Sequence, residues 1–263
     1  MTDVFALHRG TAPLLVSVPH CGTALPDEVR DALVARAHAV EDADWHLDRL
    51  YAFARELGAS FIVPRFARYA IDLNRPPDDT PMYPGASNTG LVPTTFFDGA
   101  PLYRDGRAPD AAEIARRRER WWQPYHDALA AELAAIRARH GYALLLDGHS
   151  IRSRIEWLFE GKLPDFNLGT ASGASCASSL REAATRALTV PEHTLAVDGR
   201  FKGGYITRHY GRPDERIHTV QLEMCQSTYM DEAPPWAWDA ARAARLAPHL
   251  RRLVDALLQW RPA

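Results

Sequence analysis

Cysteine is scarce: Cys21, Cys176 and Cys225 are the only three in 263 residues. An odd, widely scattered set of thiols excludes a disulfide framework and fits a reducing compartment, so the expected location is the cytoplasm. No apolar run is long enough to span a membrane. The N-terminus, MTDVFALHRGTAPLLVSVPH, opens with an acid and lacks the basic start and apolar core of a secretion signal. Neither sign of charge dominates: 31 Lys and Arg stand against 33 Asp and Glu, a net charge of −2. With no basic field to hold a polyanion, nucleic acid is excluded as a partner. H-E-x-x-H and C-x-x-C spacings are absent, as is the G-x-S-x-G nucleophile elbow, so any catalytic apparatus is assembled from residues distant in the chain.

There is no internal repeat either; what the chain has is alternation. The segments LLVSVPH, SFIVPRFARYAIDLN, YALLLDGH, HTLAVD and HTVQLEM read as strands, several of them apolar on both faces. Helical patterns run between them, about Pro26 to Ala39, Asp44 to Leu57, Asp110 to His140, Ser175 to Ala187 and Pro235 to Trp260. In the third, Leu129, Leu133 and Ile136 recur at helical spacing, and Pro124 divides the segment in two. Strands buried on both sides need helices on both sides. The expected fold is therefore α/β, a three-layer α/β/α sandwich with a mixed, mostly parallel sheet, built as a single domain over residues 1–263. Two stretches lack periodicity and are dense in Pro, Gly and Asp: NRPPDDTPMYPGASNTG through FFDGAPLYRDGRAP, and FEGKLPDFNLGTASGAS. Long irregular loops of this kind either wall a cleft or are solvated excursions.

In YALLLDGHSIRSR an apolar run ends in Asp147, Gly148 and His149. Ligands in such sheets gather at the carboxyl ends of strands. Residues two apart on a strand project to the same side, so Asp147 and His149 share a face, and Gly148 leaves room for close approach. A lone His at a strand end is more often structural than a ligand. LLVSVPHCG supplies a second, His20. In EDADWHLDRLY, Asp42, Asp44, His46 and Asp48 crowd a helix start, where acids ordinarily cap. Two His and one carboxylate that leave an open position nevertheless form a familiar catalytic zinc set.

HTVQLEM places Glu223 on the side of Gln221, opposite Val220, Leu222 and Met224. A buried acid is costly unless paired or functional. Glu223 is thus either the partner of an arginine or a general base that takes a proton from an activated water. Asn74 and Arg75 close the strand-like IDLNRPP, and Arg152, Arg154, Arg200, Lys202 and Arg208 stand in two further charged segments. Each cation alone reads as surface charge. Several at strand ends in a mildly acidic chain point to a small anionic substrate. Ser150 after His149 lacks a nucleophile elbow. Cys21 beside His20 points to the opposite face of its strand and reads as a buried structural thiol.

The blocks SVPHCG, DADWHLDRLYAFARELGA, RYAIDLNRP, TTFFDGAPLY, WWQPYHDAL, LLLDGHSIRS, LFEGKLPDFNLGT, GRFKGGYITRHYG and IHTVQLEMCQSTYM together resemble the N-formylglutamate amidohydrolase family from about Leu14 to Glu232. The resemblance implies a fold similar to that of zinc carboxypeptidases, and one divalent metal, zinc first, with cobalt, manganese and iron suited to the same ligands. It implies His20, Asp44 and His149 as ligands and Glu223 as the catalytic acid-base. Asp42 and His46 compete with Asp44, because zinc carboxypeptidases carry two ligands in an H-x-x-E spacing after the first strand and this chain has HCGT. Asn74 and Arg75 resemble the Asn-Arg pair that holds a substrate carboxylate, with Arg152, Lys202 and Arg208 as further anchors and Asp147 orienting a ligand imidazole. The implied reaction is hydrolysis of N-formyl-L-glutamate to formate and L-glutamate, in bacterial histidine degradation. An amidase acting on another N-acyl amino acid or peptide, and a non-catalytic anion-binding protein, are the alternatives.

Overall fold

The computed structural model describes residues 4–82 and 89–262. Its strands are β1 Phe5–His8, β2 Leu14–Ser17, β3 Ser60–Pro64, β4 Ala143–Ile151, β5 Phe166–Gly169, β6 Leu195–Val197 and β7 Ile217–Cys225. They form one seven-stranded sheet in the order β1-β3-β2-β4-β7-β5-β6. The central run β3-β2-β4-β7 is parallel. β1 joins β3 antiparallel at one edge, and β5 joins β7 antiparallel and carries β6. The sheet is thus mixed, and its centre is parallel.

The helices are α1 Asp27–Arg30, α2 Leu47–Leu50, α3 Phe53–Glu56, α4 Ala111–Arg117, α5 Gln123–His140, α6 Ser178–Leu188, α7 Tyr205–Tyr210 and α8 Ala240–Gln259. Strand periodicity divides the core in two. Leu144, Leu146, Val220 and Leu222 face one side, with Leu180 and Ala184 of α6 and Leu246, Leu250 and Leu253 of α8. Leu15, Ile62 and Leu145 face the other, with Leu129, Leu133 and Ile136 of α5. A fully buried Leu contributes about 1.5–3 kcal/mol relative to an exposed one, and this two-sided burial fixes the register that aims the polar residues.

Several elements differ from expectation. IDLN is not a strand: β3 stops at Pro64, and residues 66–75 run as turns. Its two-residue alternation holds in part, broken at Ala70, which joins the core with Tyr69 and Ile71. Tyr69, Ile71 and Leu73 enter the core beside α5, whereas Arg68, Asp72 and Asn74 turn to the polar side and are buried there. β1 and β5 were not anticipated; each is four residues long, and β5 lies inside a stretch whose flanking Pro, Asp and Gly read as loop. α7 was also missed, six residues inside a Gly-flanked, Arg-rich segment. The helix expected from Pro26 splits into α1 and a 3-10 turn at Ala35–Ala39, and that from Asp44 splits into α2 and α3. Between α4 and α5 the chain makes a π turn, Arg118–Trp122, and Pro124 falls in the first turn of α5, where its missing N–H breaks no helical bond. α8 begins at Ala240, later than Pro235. Residues 83–88 of the long aperiodic loop lie outside the described residues. Among the described residues no helix is long and apolar enough to cross a membrane.

His126 of α5 is buried against Trp122, their rings stacked with centroids 3.7 Å apart. Burial pushes its pKa down from 6.5 to about 3, so the folded protein keeps the imidazole neutral. Below pH 6.5 the unfolded chain binds a proton that the folded chain refuses, and stability falls as pH drops from 6.5 toward 3. The expected loss from this residue is on the order of 1 kcal/mol per pH unit. Urea unfolding of the native protein and of His126→Gln across pH 4–8 checks it. The gap between the two should narrow in acid, and a gap independent of pH would remove His126 from the account.

Candidate metal centre and cleft

Because β2, β4 and β7 are parallel neighbours, their carboxyl ends open on one edge of the sheet. His20 follows β2, His149 lies in β4, and Glu223 in β7 is His149's direct partner across the ladder. Gly148 between Asp147 and His149 sits against its neighbours: a Cβ there would come within 3.1 Å of the Tyr51 ring and 3.3 Å of Val18, so both would have to shift by a few tenths of an ångström. Asp44 precedes α2 and is drawn to the same place by its own N–H, which donates to the His20 carbonyl at 3.0 Å. Its Oδ2 accepts from the Ser150 N–H at 3.1 Å and lies 3.1 Å from Nδ1 of His149 and 3.8 Å from Nδ1 of His20. One donor atom from each of His20, Asp44 and His149 falls within 4.8 Å of the others, and all three residues are buried.

The outer nitrogens of both imidazoles meet carboxylates. Nε2 of His20 is 2.6 Å from Asp72 Oδ1, and Nε2 of His149 is 3.1 Å from Asp147 Oδ2. Such carboxylates fix tautomer and ring orientation in metal-binding histidines. Asp72 is held in turn by Arg68 at 2.5 Å. Asp44, Asp72, Asp147 and Glu223 are all buried here, and they outnumber the guanidiniums of Arg68 and Arg75 that stand against them.

That excess of negative charge shows in the titrations. Burial lowers the His20 pKa, Arg68 adds to the effect, and Asp72 and Asp44 only partly oppose it. Burial works the same way on His149, but the carboxylates of Asp147 and Asp44 outweigh it and hold the imidazole well above its ordinary value. Glu223 is pushed up to about 8, by burial first and by Asp44 and Asp147 in addition, against His149 and Arg68. Oδ1 of Asp147 is buried without a hydrogen-bond partner. Two imidazoles and a carboxylate converging inside a negatively charged, water-poor site match the donor set of a divalent metal that prefers nitrogen and oxygen.

The rivals for the third place are occupied elsewhere. Asp42 accepts from the Tyr69 hydroxyl at 2.9 Å, the Phe97 N–H at 3.1 Å and Arg152 at 3.1 Å. His46 has a left-handed φ of 62° and sets its Nε2 2.9 Å from the Trp236 carbonyl. The Cys21 thiol is buried beside Asp48, and both burial and that carboxylate push its pKa up, which disfavours the nucleophilic thiolate. Ser150 accepts from the Tyr229 hydroxyl at 2.7 Å.

The cleft above the cluster is lined by Glu223, Gln221, Asn74, Arg75, Arg68 and Arg200, with Phe97, Ile151, Leu158 and Phe201 as an apolar wall. Asn74 is not aimed at open space. Its Nδ2 is 3.0 Å from Nε2 of His149, and its Oδ1 accepts from the Ile206 N–H at 2.8 Å. Three of the expected anchors lie elsewhere: Arg152 pairs with Asp42, while Lys202 and Arg208 are exposed and do not line the cleft. Arg208 donates instead to the Gly203 carbonyl at 2.8 Å. The cleft cations are Arg75, Arg68 and Arg200. Sequence reading passed over Arg68 and Asp72, though both belong to the same two-residue alternation as Asn74.

A family model for N-formylglutamate amidohydrolase matches residues 12–230, a span that takes in every residue of this cluster. The chain belongs to the N-formylglutamate amidohydrolase family. It is 52% identical to an N-formylglutamate deformylase of Pseudomonas aeruginosa, covering 99% of this chain and 98% of that protein. It is 51% identical to an N-formylglutamate deformylase of Pseudomonas putida, covering 99% and 97%. The crystal structure of an N-formylglutamate amidohydrolase from Ralstonia eutropha superposes with a TM-score of 0.81 at 29% identity, over 96% of this chain and 97% of that one. A protein of Agrobacterium tumefaciens shares the fold, with a TM-score of 0.72 at 18% identity.

Proposed function

We propose that the protein is a zinc-dependent amidohydrolase that cleaves N-formyl-L-glutamate to formate and L-glutamate, as a single domain over residues 1–263, serving histidine degradation in the cytoplasm. The observation that carries this reading is the meeting of His20, Asp44 and His149 with Glu223 in a cleft whose cations are Arg68, Arg75 and Arg200. Family membership supports it.

His20, Asp44 and His149 would hold the metal through the atoms that already converge. A divalent metal bound there supplies Lewis-acid polarisation of a carbonyl and makes a water more acidic at neutral pH. Asp72 and Asp147 keep both imidazoles oriented from outside. Glu223 takes a proton from the attacking water and delivers it to the amide nitrogen as the C–N bond breaks, leaving formate and a free amine. Arg75, expected from the sequence for this role, and Arg200 bind the two substrate carboxylates, and Arg200 takes the place of the further anchors Arg152, Lys202 and Arg208. Arg68, fixed by Asp72, places positive charge where the formyl oxygen gains negative charge. The apolar wall covers the methylene groups and excludes bulk water.

Formate release from N-formyl-L-glutamate, N-formyl-L-glutamine and a panel of N-acylated peptides tests the substrate. The expected kcat/KM favours the dicarboxylate by about 100-fold or more, since a half-buried guanidinium left without its carboxylate loses a charge-assisted pair. Turnover of the peptides alone would move the function to a broader amidase. Binding of N-formylglutamate without formate release under any metal would reduce the protein to a binding module.

A further inference from the structure

We propose that Trp122 and His126 are positioning residues that set the reach of Arg75 into the cleft, acting through the backbone of residues 73–75. The proposal rests on the reading of Arg75 as a carboxylate anchor.

Residues 67–75 carry much of the cleft's chemistry yet belong to no strand, and backbone carbonyls in such a segment need partners. One helix provides them. The Trp122 indole N–H donates to the Arg75 carbonyl at 3.0 Å, and His126 Nε2 donates to the Leu73 carbonyl at 2.9 Å. Arg118 reaches the Pro77 carbonyl at 3.5 Å. The donors 118, 122 and 126 are four residues apart, and their acceptors 77, 75 and 73 are two apart in the opposite direction. Arg117 adds the Ala70 carbonyl at 3.3 Å. The π turn Arg118–Trp122 spans two of the donors, and a widened turn of that kind changes which side chains a helix presents.

The rest of the setting is rigid. Trp122 and His126 are stacked, and Tyr205 lies against both, with ring centroids 5.7 and 5.5 Å away. α7 holds Asn74 from the far side through the Ile206 N–H. His126 stays neutral in this environment, so the Nε2 that faces the Leu73 carbonyl keeps its proton and Nδ1 is left to the Tyr210 hydroxyl at 3.0 Å. Arg75 is also tied sideways, its Nε and Nη2 donating to Thr89 at 2.8 and 2.7 Å. Its Nη1 donates to the Asn74 carbonyl at 3.0 Å, so the guanidinium is tied to the same backbone that Trp122 and His126 hold.

The test uses the metal-loaded protein and N-formyl-L-glutamate. Trp122→Phe keeps an aromatic ring and removes the donor; KM should rise about 10-fold, the loss of one hydrogen bond. kcat should stay within about twofold and metal content should not change. His126→Gln, which retains a donor, should fall close to native KM, whereas His126→Leu should raise KM as Trp122→Phe does. Arg75→Ala alone must raise KM, and Trp122→Phe added to it should contribute little more. If Arg75→Ala leaves KM unchanged, the anchoring role itself is wrong. If Arg75→Ala raises KM but Trp122→Phe does not, or the two effects multiply independently, the positioning role is overturned.

Discussion

Glu223→Gln should lower kcat for N-formyl-L-glutamate by about 10³- to 10⁴-fold, at the upper end of what a general acid-base group contributes. Glu223 is the buried carboxyl whose strand ladder sets it directly across from His149, and its surroundings raise its pKa to about 8. Such a group can carry a proton both ways near neutral pH. Gln preserves shape and burial but can neither take up nor release the proton. Metal content and KM should therefore remain near native while formate release collapses, as a kinetic and elemental analysis of the same preparation would reveal. A fully active variant would remove Glu223 from the chemistry and leave it as a buried acid without explanation.

His149→Ala should abolish both bound metal and turnover. Its Nδ1 lies 3.1 Å from Asp44 Oδ2 and its Nε2 3.1 Å from Asp147, so its removal deletes one donor and leaves two buried carboxylates without their shared partner. Metal bound per chain should fall from about one to near zero, and kcat/KM by more than about 10³-fold, because loss of the ligand removes metal-assisted catalysis as a whole. Asp42→Asn is the control. Asp42 bonds to Tyr69, Phe97 and Arg152 rather than to the cluster, so the metal should stay. Metal retained in His149→Ala, or lost in Asp42→Asn with the fold intact, would move the centre away from His20, Asp44 and His149.

Much of this was readable from residue order, and the reason is strand periodicity. In β4 and β7 Leu144, Leu146, Val220 and Leu222 face one helix layer, and a period of two then obliges Asp147, His149, Gln221 and Glu223 to turn together toward the side of Leu145. That is why His149 and Glu223 were identifiable without coordinates. His20 stood out only as a histidine closing the apolar run of β2; by period it would fall with Leu14, Val16 and Val18, and the turn after Ser17 is what brings it to His149. Asp44 could be separated from Asp42 and His46 only by three-dimensional placement, since all three sit in one short segment. The cations were the least legible. Arg152, Lys202 and Arg208 look equivalent to Arg75 and Arg200 in a string, because an arginine's reach depends on where an irregular backbone turns. Arg68 and Asp72 were hidden in a segment that alternates like a strand but is held by side chains instead of a neighbouring strand. β5 and α7 escaped because pieces this short carry too few periods to stand out from their Gly and Pro surroundings.

The placement of His149 and Glu223 on neighbouring central strands, and of Arg75 and Arg200 on connecting segments, separates two kinds of heritable change. Glu223, proposed to move the proton, is paired in the ladder on both sides and His149, proposed to hold the metal, on one, so the register of the central sheet sets where both stand. The arginines proposed to read the substrate hang from segments whose length and path can vary while the ladder stays in register. Descendants of this fold can therefore acquire a different acyl-amino-acid preference through changes in the connections at 66–75 and 198–204, and keep the same bond-breaking machinery throughout.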